Sequence, residues 1–137
     1  MTHTPAPAPR DRTAPVVMGG VLAAGVALTV WWNPHAGGPV LCPLLALTGW
    51  YCPLCGGLRT VHAMATADLA GAWAMNPLLV VALPALAWVW LRWLIRSWQD
   101  RPPRQPPRWL VPAVAAAVLV FGIARNLPGL QEYLGPA

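Results

Sequence analysis

A chain of 137 residues in which 57% are apolar and 9% charged is excluded from the ordinary soluble class, where roughly 25% of residues are charged. Mean hydropathy is +0.51, and the apolar residues are gathered into runs, the pattern of an all-α integral membrane protein of one domain. The net charge of +5 comes entirely from arginine. These arginines sit at the ends of apolar runs, as topology signals and snorkelling anchors do; that placement excludes nucleic acid as a partner and makes the lipid bilayer the first one.

Residues 1–15, rich in Pro, Thr and Ala without hydrophobic period, read as a disordered tail. Val16 to Trp32 is a run of 17 residues with Thr29 its only polar member, about 26 Å as a helix and long enough to cross a bilayer. It exceeds the apolar core of a secretory signal and no small-x-small cleavage site follows it, so it is expected to remain as a first span. A second span is expected over about 78–95, after Asn76-Pro77, with a kink at Pro84. The connector RSWQDRPPRQPPR holds four prolines and four arginines in 13 residues, a composition that keeps the chain in water before it re-enters. A third span is expected over about 109–124, with Pro112 tolerated in its first turn and residues 128–137 left as a C-terminal tail. Residues 16–127 thus form one membrane domain.

With three crossings, Arg10, Arg12, Arg96, Arg101, Arg104 and Arg108 fall on one side and only Arg59 and Arg125 on the other. This bias places the N-terminus and the proline-rich connector in the cytoplasm and the segment from Asn33 to Asn76 outside it.

That segment, with its cysteine-bearing part at 42–76, is too apolar for a solvated loop and holds all three cysteines; irregular backbone at membrane depth has to be buried in protein. One or two short interfacial helices are expected in it. After Gly56-Gly57, Leu58, Val61 and Ala65 lie on one helical face and Arg59, His62 and Thr66 on the other. The N-terminus of that helix would sit beside Cys55 and favour its thiolate. Asp68 reads as the N-cap of a second short helix over Leu69–Met75 or, instead, as the ion-pair partner of Arg59; Asn76-Pro77 ends or kinks that helix before the second span.

Several chemistries fit Cys42, Cys52, Cys55 and His62. Two cysteines could form a structural disulfide, leaving one thiol over. All four residues would supply a tetrahedral Cys₃His set suited to zinc or to Cu(I). Cys52 and Cys55, as C-P-L-C, could carry thiol–disulfide exchange, with Cys52 attacking and Cys55 resolving. Buried free cysteines also behave as small inert hydrophobes, and a lone histidine in such a helix also serves as packing.

Cys42-Pro43, Gly49, Cys52-Pro53-x-Cys55-Gly56, Arg59, Asp68-Leu69 and Asn76-Pro77-Leu78 together resemble a family of small bacterial membrane proteins, domain of unknown function 2752. Leu58 stands where the family usually has Thr or Ser, and Ala67 where it usually has Gly. The resemblance implies a membrane domain with a cysteine motif and brings no established activity. Spans with few polar groups offer no transport path, so the expected role is non-enzymatic. It is that of an accessory or assembly subunit in the bacterial inner membrane that docks on other membrane proteins or on itself, its cysteine segment clasped by a disulfide or a metal. In this reading Arg59, Asp68, Asn76 and Pro77 are structural. The alternatives are a membrane thiol–disulfide oxidoreductase and a zinc- or copper-binding membrane protein.

Overall fold

The computed structural model describes residues 12–34, 42–99, 101 and 105–135, and every regular element among them is helical. In chain order these are α1 (Thr13–Trp32), α2 (Pro43–Thr48), α3 (Gly57–Ala65), α4 (Leu69–Met75), α5 (Pro77–Trp98), α6 (Leu110–Ala124) and α7 (Gln131–Leu134). Two of them, α1 with 20 residues and α5 with 22, are long and apolar enough to cross a membrane, while α6 is a shorter apolar helix of 15 residues. At 1.5 Å per residue α6 is about 22 Å long.

Boundaries depart from the sequence reading where local chemistry permits longer helices. Helix α1 begins at Thr13, inside the expected tail, because Pro15 falls in the first turn, where its missing N–H has no helical partner to lose; residues 1–11 of that tail lie outside the described set. Helix α5 begins at Pro77 and runs on to Trp98, taking in the start of the arginine-rich connector. Asn76 does not merely end α4. Its side chain accepts the Leu79 N–H as the N-cap of α5 with Pro77 at the first helical position, so one residue closes one helix and opens the next.

Helices α1 and α5 run antiparallel, tied at one end where the Trp90 Nε1–H donates to the Pro15 carbonyl at 3.0 Å. A Cβ on Gly19 would run into that indole. At the opposite end the C-terminus of α1 meets α3, and α3, α4 and the start of α5 pack on one another. Helix α6 joins the assembly at this same end: Gly122 lies so close to Pro53 that an added Cβ would sit 2.8 Å from the ring Cγ. The cysteine segment is therefore a knot on which the C-terminal ends of α1 and α6 and the N-terminal end of α5 converge.

The interior is built from unusual material. The largest fully buried side chains are Arg125, Asn76, Thr60 and Pro15, whereas Val21, Leu22, Val81, Leu86, Val89, Leu119 and Val120 point outward. The short helix α3 follows the same rule: Thr60 and Ala63 are buried, while Leu58 and Ala65 are exposed. Small and polar residues make the contacts between elements and large apolar ones face away, the pattern of a protein solvated by lipid.

Candidate metal centre

The sulfur positions follow from two short turns. Residues 52–55 form a turn closed by the Cys55 N–H on the Cys52 carbonyl at 3.0 Å, which brings both side chains to one side. The Cys52 N–H also donates to the Cys55 sulfur at 3.3 Å. Cys42 comes from the N-cap of α2, six residues long and stopped by Gly49 in the left-handed region at φ 73°, a conformation glycine adopts without steric cost. That hairpin-like return lays Cys42 Sγ 3.3 Å from Cys52 Sγ, and Cys52 Sγ lies 3.2 Å from Cys55 Sγ. All three sulfurs fall within 4.8 Å of one another. A metal held at about 2.3 Å from each sulfur in tetrahedral geometry needs sulfur–sulfur separations of about 3.8 Å, so a bound ion would spread the Cys42–Cys52 and Cys52–Cys55 pairs slightly.

The turn is held from outside by three side chains distant in sequence. Arg125 donates from Nη1 to the Cys55 carbonyl at 2.9 Å and the Cys52 carbonyl at 3.3 Å, from Nη2 to Met75 O at 2.7 Å, and from Nε to Leu134 O at 2.6 Å. Asn76 donates from Nδ2 to Pro53 O at 2.9 Å and Cys55 O at 3.2 Å. Asn126 accepts the Tyr51 N–H at 2.8 Å, and its Nδ2 donates to Tyr51 O at 2.9 Å and Gly122 O at 2.8 Å. Irregular backbone cannot satisfy itself as a helix does, and every buried carbonyl without a donor costs about 1–3 kcal/mol. These three residues give residues 51–55 the partners a ladder would have supplied.

The thiols sit in contrasting environments. Cys42 is held down to about 7 by the backbone amide of Leu45 in the first turn of α2 and by hydrogen bonding from the Cys52 and Cys55 thiols. Cys55 is pushed up to about 12, chiefly because burial penalises its thiolate and then because of its hydrogen bond with Cys52. This reverses the expectation that the start of α3 would favour a Cys55 thiolate: the residue is only 6% exposed, and burial outweighs the dipole of a nine-residue helix.

His62 is not part of the sulfur cluster and takes the packing role of its two expected ones. Its Nδ1 lies 3.0 Å from the Thr29 carbonyl, so it ties α3 to the last turn of α1, where carbonyls lack helical donors. Asp68 takes the first of its two expected roles, its Oδ1 accepting the Gly71 N–H at 2.9 Å to cap α4; a Cβ on Gly71 would collide with that carboxylate. Arg59 is half-buried on α3. Arg125 and Asn126 carry much of the site's geometry, yet sequence reading treated Arg125 only as a topology signal. The single trace of their role was a charged and a polar residue placed directly after an apolar run. The expected tail after residue 127 contributes as well, since α7 supplies the Leu134 carbonyl to Arg125; residues 136–137 lie outside the described set.

No curated protein and no solved structure matches this chain. Residues 42–90, which hold all three cysteines, α2 to α4 and α5 as far as Trp90, match the family model described as Protein of unknown function (DUF2752).

Proposed function

We propose that this protein is a multi-pass membrane protein that binds one soft metal ion, zinc or Cu(I), on Cys42, Cys52 and Cys55, and that it serves as an accessory or assembly subunit rather than an enzyme. The observation that carries the reading is the convergence of three sulfurs, from two separate turns, within 4.8 Å. A structural disulfide needs two of them and leaves the third without purpose, whereas thiolate sets of this kind are what zinc and Cu(I) take. In this reading α6 is a third crossing: Trp109 and Arg125 flank it, and non-helical turns lengthen it at both ends. With Arg12, Arg92 and Arg96 at one end of the bundle and Arg59 and Arg125 at the other, the cysteine knot lies on the extracytoplasmic side of a bacterial inner membrane. Its partners are lipid and other membrane proteins, or a second copy of the chain.

One observation favours thiol–disulfide exchange as a second reading. Cys52 touches both other sulfurs, and the most readily ionised thiol is Cys42. The Cys42 thiolate would then attack a partner disulfide, releasing one partner thiolate. Cys52 would displace the other, leaving a Cys42–Cys52 disulfide and a reduced partner. Intact-mass spectrometry of the purified protein, native and denatured, with and without reductant and alkylation, separates the two. One bound metal ion, with three thiols alkylated only after chelation, is the expected result, and His62→Ala retains it. A denatured mass 2 Da below the reduced chain and no metal, which reads as one disulfide, overturns the metal reading.

A further inference from the structure

Arg125 is fully buried at the C-terminal end of α6. The guanidinium touches four backbone carbonyls and lies 5.4 Å from the centroid of the Phe121 ring, so every partner is neutral. The described carboxylates are placed elsewhere: Asp68 caps α4, and Glu132 lines a cleft with Tyr51, Trp73 and Tyr133. The ionisable groups whose anionic forms would favour the charge of this arginine are instead Cys55, Cys52 and Tyr51. A buried cation is costly unless an anion compensates it, and here the compensating groups on offer are thiols.

Resting on the three-sulfur reading, the geometry points to Arg125 as the built-in counter-cation of an anionic metal–trithiolate, and therefore to a divalent soft cation as its occupant. When three thiols bind a divalent ion they release three protons to solvent and form three metal–sulfur bonds, leaving the metal and its ligands at one negative charge. Arg125 brings that assembly to neutrality. A monovalent ion on the same three thiolates would leave one uncompensated negative charge, which a low-dielectric surrounding penalises. Zinc is the divalent ion that thiolates take, and three sulfurs leave its fourth tetrahedral position open. Because Arg125 bonds the carbonyls of Cys52 and Cys55 and not their sulfurs, it is a positioning residue that acts through the two ligands.

The test uses the full chain, reduced and metal-free in detergent, titrated with Zn²⁺ alone and with Co²⁺ alone against a competing chelator, for wild type, R125K and R125Q, with circular dichroism checking the fold. One ion per wild-type chain is expected, with a Co²⁺ charge-transfer band of three thiolates. R125Q should weaken Zn²⁺ binding by about tenfold or more, the range in which groups behind metal ligands act, and R125K, which keeps the charge and loses the planar fork, should stay within about threefold of wild type. Equal loss in R125K and R125Q, or no loss in either, overturns the counter-cation role and leaves the three-sulfur reading intact. A wild-type Co²⁺ spectrum with fewer than three thiolates overturns it whether or not R125Q folds. Failure of the reduced wild type to bind Zn²⁺, Co²⁺ or Cu(I) removes the three-sulfur reading itself.

Discussion

The long helices and the cysteine knot at their ends are stabilised by opposite means. Along α1 and α5 the large apolar side chains point outward, as with Val21 at 67% and Val89 at 63% exposed, while the Trp90 indole bonds the Pro15 carbonyl and closes on Gly19. Lipid can solvate such surfaces, so these helices need little from each other and their backbones are satisfied internally. In the knot the backbone is irregular, and its carbonyls depend on Arg125, Asn76 and Asn126, each reaching across more than twenty residues. The specificity of this fold therefore resides in a few buried polar groups, since the large apolar side chains of the long helices point outward and the largest fully buried side chains are Arg125, Asn76, Thr60 and Pro15.

The largest effect is expected from Arg125→Leu, which keeps bulk but takes the Arg125 donor from the Met75 and Leu134 carbonyls and leaves the Cys52 and Cys55 carbonyls with one donor each. It should cost about 3 kcal/mol or more, seen as a collapse of folded yield and a large fall in thermal midpoint in detergent. A cost under about 1 kcal/mol would mean that apolar packing and not the polar clamp holds the knot. Asn76→Ala removes two carbonyl partners and the cap of α5 together, and a loss of about 2–3 kcal/mol is expected by denaturant titration. Two glycines then sharpen the contrast. Gly122→Ala drives a methyl group against Pro53 and should destabilise by about 1–3 kcal/mol. Gly20→Ala, which meets nothing within 4 Å, should be neutral or stabilising by up to about 1 kcal/mol. Equal effects at the two positions would remove the distinction between knot and spans.

A substitution at the end of α3 is also expected to stabilise. Ala67 ends α3 in the left-handed region at φ 63°, with its N–H on Met64 O and the Asp68 N–H on Ala63 O, the double closure of a Schellman motif. A side chain there is strained. Ala67→Gly should therefore stabilise the protein by about 1 kcal/mol, read as a rise in thermal midpoint.

Much of the architecture was legible because it is local. Apolar runs marked α1, α5 and α6, the Asp68 cap marked α4, and Asn76-Pro77 marked the start of α5, since propensity, capping and proline geometry act within a few residues. The C-P-L-C spacing likewise placed Cys52 and Cys55 side by side. His62 stayed open between ligand and packing because its spacing from Cys55 is compatible with a ligand, while the carbonyl it meets lies 33 residues away on α1. In α3 the buried positions, Thr60 and Ala63, belong to neither of the two residue sets that periodicity marked.

The amino-acid order by itself thus determined a helical chain with lipid-compatible runs and a structured cysteine segment between them. Tertiary structure alone decided that Cys42 lies against Cys52, that burial pushes the Cys55 thiol up, and that Arg125 bonds the carbonyls of the cysteine turn. The reason is one of range: helix formation follows from neighbours within a turn or two, whereas a buried cation and three sulfurs are defined by what long-range folding brings around them.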